Sequence, residues 1–269
     1  MYAFEYQRPA SRDAAVAAAR GADTRYLAGG QSLIQAMRLR LSQSERLVDL
    51  GGIADLRGIE VDGDGVKIGA MATHAAIAAH ADVQRVLPAL ADLAEGIGDP
   101  MVRNMGTLGG AVANADPAAC YPAAVLALNA TIHTDRRTIA GDVFFTGLYE
   151  TALQPGELIT ALRFPAVQKA AYIKYKQQAS RFALVGVFVV QTPAGVRVAV
   201  TGAKGHVFRA TPIEDALSKD FTAEAAKAVR MPADDINGDM HGSAEYRAAM
   251  ISVIASRAVT KALANGARG

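Results

Sequence analysis

Cysteine is almost absent from this 269-residue chain, which has a single one, Cys120, and tryptophan is absent altogether. One thiol excludes an internal disulfide, and equally a four-thiolate zinc site or iron–sulfur cluster built from this chain alone. Histidine is sparse: His74, His80, His133, His206 and His241 never fall in a paired spacing such as HxxxH. Without that spacing no metal-ligating set is predicted. Neither sign of charge is in excess, with 28 Lys and Arg against 26 Asp and Glu and a formal net charge of +2. Neutralising a nucleic-acid backbone needs a concentrated basic surface, so that class of function is excluded. Long apolar runs are missing too. The longest, Ala183 to Val190, is far too short to span a bilayer. The opening MYAFEYQRPASRD lacks the basic-then-apolar pattern of an export signal, so a cytoplasmic location is expected.

What the chain does have is apolar bulk: 51% of residues are hydrophobic, which excludes disorder. With aromatics at only 6%, the core must come from Ala, Val, Leu and Ile. Ser11 before DAAVAAAR predicts a capped helix ended by Gly21, followed by a short strand over Arg25–Ala28. Leu33, Ile34, Met37 and Leu41 mark one helical face within 31–41, and Arg46–Leu50 reads as a strand. Alternation on both sides of Asp62-Gly63-Asp64-Gly65 predicts a hairpin over 58–71. The later ligands of a calcium loop, its closing Glu included, do not follow. Thr73 is placed to cap a helix, and 82–97 reads as one further helix. Residues 98–118, rich in Gly, Asn, Asp and Pro, read as an ordered functional loop. A buried helix is predicted over 118–128 and a strand over 158–164. Three strands follow at 171–176, 183–191 and 196–203, then helices at 213–230 and 243–264, the latter capped by Ser243 with Gly266 just past its end. A boundary is placed near Pro165-Ala166.

Two segments carry the chemistry. In Leu27-Ala28-Gly29-Gly30-Gln31-Ser32-Leu33-Ile34 a strand runs into paired glycines and then a helix. Glycine lets the backbone approach a ligand with its N–H groups turned inward, and the helix behind adds donors and a positive dipole end. The second segment, Gly98 to Pro117, has Gly106, Gly109 and Gly110 beside Thr107. Neither matches GxxxxGK[ST] or GxGxxG, which argues against P-loop ATPases and Rossmann dehydrogenases. Together they suit the two halves of one pyrophosphate. From the residues alone, the reading stops at a nucleotide-like anion.

The runs YLAGGQSLIQAMRLRL, LVDL and GDPMVRNMGTLGGAVANADPAACYPAAVLAL, followed by GELITALRFP and YIKYKQQAS, resemble the medium, FAD-binding subunit of the molybdenum hydroxylase (xanthine dehydrogenase) family. The resemblance implies an α+β chain with a two-lobed FAD-binding fold of the vanillyl-alcohol-oxidase (PCMH) type. That fold would occupy 1–166, with lobes at about 1–50 and 51–166, followed by a C-terminal antiparallel sheet with helices over 167–269. It implies that Ala28, Gly29, Gly30, Gln31, Ser32 and Leu33 line one side of the FAD phosphates and Thr107, Gly109, Gly110 and Ala111 the other. Asp116, Ile159 and Lys174 match further positions near the cofactor. Many relatives have Asn where Ala111 stands and Asp where Cys120 stands, while Gln178 and Arg181 replace Arg and Asp. Gln31 occupies the place of a flavin-linking His in covalent members of the wider fold, so the FAD is expected to be non-covalent.

The same resemblance implies an electron-transfer subunit of an oxidoreductase. A large partner would hold a molybdenum cofactor and a small partner two [2Fe–2S] clusters, with two copies of each of three subunits. FAD would pass electrons to an external acceptor. No nucleophile–base pair is evident, so no acid–base catalytic residue is named. Two other readings use the same residues: a stand-alone flavin oxidoreductase of this fold, and a scaffold in which the changes at Ala111 and Cys120 have removed the cofactor. A single buried cysteine is ordinarily an inert small hydrophobe.

Overall fold

The computed structural model describes residues 1–21 and 23–267. The N-terminal segment builds a small parallel sheet. Strands β1 (Glu5–Gln7), β2 (Thr24–Leu27) and β3 (Arg46–Asp49) lie in the order β1-β3-β2, with α1 (Arg12–Ala18) and α2 (Leu33–Arg38) as the crossovers. Parallel neighbours require such crossovers. Ser11 caps α1 as expected, its Oγ accepting from the Ala14 amide at 3.2 Å. Strand β1 is too short and polar to announce itself in the sequence.

A five-stranded antiparallel sheet follows, in the order β4 (Ile59–Asp62), β5 (Gly65–Gly69), β10 (Ile159–Pro165), β6 (Thr131–Thr134), β7 (Thr138–Ala140). The β4–β5 hairpin turns at Gly63, whose φ of +59° suits glycine. Arg163 reaches across to it, donating to Asp62 at 3.2 Å and to Asp64 at 2.6 Å. After β5 come α3 (His74–Ala79), α4 (Ala81–Val86) and α5 (Pro88–Glu95). The single helix expected over 82–97 is therefore two. Leu87, with φ −146° and ψ 67°, leaves the helical region because the following proline ring crowds it.

Residues 98–118 also differ from expectation. They form α6 (Pro100–Met105) and α7 (Leu108–Asn114) in place of a loop. Asp99 caps α6, accepting from the Val102 amide at 2.9 Å, and Thr107 caps α7, accepting from the Gly110 amide at 3.2 Å. The glycines of α7 lower its intrinsic helicity, but they let it lie close on the residue that follows β5: a methyl at Gly109 would come within 2.5 Å of the Ala70 side chain. Helix α8 (Tyr121–Ala127) is buried along its whole length. Short strands β6 (Thr131–Thr134), β7 (Thr138–Ala140), β8 (Phe145–Gly147) and β9 (Glu150–Thr151) were not foreseen, while β10 (Ile159–Pro165) lies one residue beyond its expected span.

The C-terminal segment makes the antiparallel sheet β11 (Ala170–Lys176), β12 (Ala183–Thr192), β13 (Gly195–Thr201), β14 (Phe208–Arg209). Helices α9 (Thr211–Lys219), α10 (Ala223–Ala228) and α11 (Ala244–Gly266) follow. The helix expected over 213–230 is thus broken at Asp220, an extended residue, and Gly266 lies inside α11 with Ala267 as its C-cap.

Alternation along β12 serves two cores. Val185, Val187 and Val189 face α11, whereas Phe188 and Val190 join the core containing α5 and α8. The sheet is tied to the segment before α8 by Thr201, which donates to the Pro117 and Ala119 carbonyls, and by the Gly202 amide on Pro117 at 2.7 Å. Among the described residues, no helix is long and apolar enough to cross a membrane.

Candidate functional site

Strand β2 delivers Ala28-Gly29-Gly30-Gln31-Ser32 to the top of the small sheet, and α6 and α7 bring Gly106 and Thr107 opposite. The two bends touch. A methyl on Gly29 would overlap the Met105 carbonyl, and one on Gly110 would stand 3.4 Å from the Ala28 side chain. Gly30, at φ +70°, takes a backbone conformation that L side chains rarely adopt. The convergence expected of segments some seventy residues apart is therefore present.

A cavity of about 400 Å³ opens at this contact. Ala28, Gly29, Gly30, Gln31, Ser32 and Leu33 line one side, Thr107, Gly109, Gly110 and Ala111 the other, with Ile159 of β10 also in its wall. A second cavity of about 460 Å³ lies across the same contact. It shares Ala28, Gly29, Gly30, Met71 and Thr107 with the first, and its basic wall residues are Arg57 and Arg8, the latter paired with Asp49 at 3.6 Å.

The two bends do not contribute alike. In the second, the amides are already committed: Leu108 N–H donates to Ala72, Gly109 N–H to Ala70 at 2.8 Å, and Gly110 N–H to the Thr107 hydroxyl. The Ala111 amide closes onto the Thr107 carbonyl at 3.0 Å. In the first bend, the backbone N–H groups of Gly29, Gly30, Gln31, Ser32 and Leu33 have no acceptor within the chain among the described hydrogen bonds. Donors of this kind seek a partner. The crevice thus has one donor-rich lip and one wall of small residues.

Asp116 and Lys174 stand outside the cavity lining. Asp116 accepts from the Ala118 amide at 2.8 Å and from the Tyr149 hydroxyl at 3.4 Å. Lys174 Nζ donates to Cys120 Sγ at 3.3 Å and to the Arg181 carbonyl at 2.8 Å. Sequence reading missed other wall residues, among them His74 and Glu157. His74 is buried, its Nδ1 has no partner, and burial, helped by Arg103, lowers its pKa to about 4. Glu157, buried beside the crevice, accepts from Arg137 Nε at 2.9 Å, from the Thr134 hydroxyl at 2.8 Å and from the Gln154 amide at 2.8 Å. The Arg137 hydrogen bonds lead in lowering its pKa to about 2. No spacing in the sequence joins His74 or Glu157 to the glycine bends; only the packing of α3 and the turn before β10 does.

The donor lip and the glycine contact, which side chains would fill, suit a molecule with a phosphate-rich middle. Residues 2–167 match the family model described as FAD binding domain in molybdopterin dehydrogenase. The carbon monoxide dehydrogenase medium chain of Hydrogenophaga pseudoflava is 37% identical, over 97% of each chain. The nicotine 6-hydroxylase medium subunit of Paenarthrobacter nicotinovorans is 36% identical, again over 97% of each. Among solved structures, the Hydrogenophaga pseudoflava carbon monoxide dehydrogenase lacking the Mo-pyranopterin moiety superposes with a TM-score of 0.89, at 37% identity and 98% coverage of both chains. Quinoline 2-oxidoreductase from Pseudomonas putida 86 gives 0.89 at 27% identity, also covering 98% of both. The α+β fold, the glycine crevice and these likenesses over almost the full length agree: the chain belongs to the FAD-binding medium subunits of the molybdenum hydroxylases, a family of oxidoreductases.

Proposed function

We propose that the crevice holds the diphosphate bridge of a non-covalent FAD and that the chain relays electrons within a larger enzyme. The observation that carries this is the row of unpartnered amides from Gly29 to Leu33, facing a wall that Thr107, Gly109, Gly110 and Ala111 keep narrow. The amides would bind phosphate oxygens, and the small residues would let the bridge lie against the backbone. The two cavities on either side of the glycine contact leave room for the two halves of a dinucleotide. Ile159 would pack on one half. Asp116 and Lys174 would be reached only at the far end of a molecule longer than the crevice. Gln31 offers no nucleophile for a covalent link. Bound FAD supplies the redox chemistry, exchanging electrons singly or in pairs.

In this reading 1–166 is the FAD-binding unit, with lobes 1–50 and 51–166, and 167–269 is an appended domain. A large molybdenum-cofactor subunit and a small subunit with two [2Fe–2S] clusters would complete the enzyme, with two copies of each chain and an external acceptor at the flavin. Support comes from the relatives' names, which are those of the medium chain of a dehydrogenase and the medium subunit of a hydroxylase.

Titrating the purified full-length chain with FAD, followed by flavin fluorescence, tests the crevice. One FAD per chain is expected. Gly29→Ala should weaken binding at least about tenfold, or about 1.4 kcal/mol, because its methyl forces the two bends apart. Gly58→Ala, where a methyl meets nothing within 4 Å, should bind as the parent does. Wild-type-like binding by a folded Gly29→Ala protein would overturn the assignment.

A further inference from the structure

Cys120 stands at the N-terminal end of α8 and is 6% exposed. Its Sγ accepts from Lys174 Nζ at 3.3 Å, although the two residues are 54 apart in sequence and belong to different elements. Lys174 has no carboxylate partner among the described ion pairs; its other contact is the Arg181 carbonyl. Two residues earlier on β11, and so on the same face, Tyr172 is 6% exposed, and its hydroxyl finds no nitrogen or oxygen partner among the described residues and lies against Cys120. The hydroxyl fits because Gly186, opposite Lys174 on β12, lacks a side chain: a methyl there would overlap it. Burial foremost, and then the neighbouring Cys120, hold that hydroxyl protonated. A thiol, an ammonium without a carboxylate and a buried hydroxyl therefore meet where the residue capping α8 faces β11.

We propose that Cys120 and Lys174 form an oxidation-sensitive pair, in which hydrogen peroxide oxidises the thiol and the lysine amine traps the product as a sulfur–nitrogen link. The inference does not rest on the flavin reading. The sulfur attacks one peroxide oxygen; an S–O bond forms, the O–O bond breaks, and the departing hydroxide leaves as water with a proton from Lys174. Sulfur gives up two electrons and peroxide takes them. The Tyr172 hydroxyl is placed to donate to the transferred oxygen. The amine, now neutral, displaces that oxygen from the sulfenic acid: S–N forms, S–O breaks, and a second water departs. With the thiol's own proton passing to solvent, thiol, ammonium and one peroxide thus give one S–N link, two waters and one proton. Sulfenic acids condense with nitrogen in this way, and thiols reverse the reaction.

The full chain, treated with hydrogen peroxide and weighed intact, should lose about 2 Da and regain it with dithiothreitol. Trypsin should then release residues 104–136 joined to 170–176, with Lys174 uncleaved, since Arg103, Arg136, Lys169 and Lys176 bound those peptides. Cys120→Ser should abolish the link. Lys174→Arg keeps the charge but not the primary amine, and Cys120 itself, read by fragmenting its tryptic peptide, should go on to gain about 32 Da as sulfinic acid. An unchanged wild-type mass at peroxide levels that oxidise free cysteine in the same tube would overturn the proposal. So would wild-type protein whose Cys120 gains about 32 Da with no joined peptide.

Discussion

His74 sets an imidazole in the wall of the crevice with its Nδ1 buried and unpartnered, its ring 5.3 Å from that of Tyr121. Folding lowers its pKa from 6.5 to about 4, so between those values the unfolded chain binds the extra proton. The resulting stability is complete above about pH 6.5 and is lost as pH falls toward 4, by about 3 kcal/mol. Glu157, lowered to about 2, acts in the same sense but only below its unfolded value of 4.5. Thermal melts at pH 7 and pH 5 should therefore show a marked fall for the wild type and a much smaller one for His74→Gln. Equal falls in the two proteins would refute the role given to His74. Nothing local in the sequence signals this residue. Thr73 announces the helix it caps, but the burial of the next side chain comes from Gly106 and Tyr121 closing over it.

Among the elements, the helix starts show how far local chemistry reaches. Ser11, Thr73 and Ser243 cap their helices as their spacing predicts, each accepting from an amide three residues on at 3.2 Å. Asp99-Pro100 and Thr107 carry the same signals, yet glycine and asparagine nearby gave the segment a loop's composition. Packing of Gly109 on Ala70 and of Gly106 on His74 offsets the low helicity, and such long-range contacts are invisible to a local pattern. Losing a cap costs about 1 kcal/mol. Thr107→Ala and Ser243→Ala should lower denaturation midpoints by similar amounts, but only Thr107→Ala should weaken FAD binding. If both variants bind FAD as the parent does, the Thr107 bend is not part of the cofactor's seat.

For the molecule as a whole, the decisive feature is a core that crosses the proposed boundary. Tyr172, Phe188, Val190, Ala199 and Val207 of the C-terminal segment share one buried cluster with Leu90, Tyr121 and Val125. Arg197, which ion-pairs with Asp142 and donates to the Leu126 carbonyl, adds a polar tie across the same junction. A fragment of residues 1–166 would leave one side of α8 uncovered. It should bind a hydrophobic dye and melt broadly, whereas the full chain melts cooperatively. A fragment with a sharp transition and no dye binding would show that the N-terminal part completes its own core.

Several features were set by the sequence alone. One cysteine ruled out a cluster or disulfide within the chain, 51% hydrophobic residues guaranteed a core, and the glycine bends with their flanking motifs identified the family. These depend on composition or on neighbours a few residues apart. Tertiary structure decided which lip of the crevice keeps its donors: Ala70 and Ala72, far from α7 in sequence, occupy the amides of Gly109 and Leu108, while among the described residues no acceptor takes those of Gly29 to Leu33. It also decided that Cys120 meets Lys174. A hydrogen bond takes its partner from whatever the fold brings within about 3 Å, and for these groups that partner comes from another element.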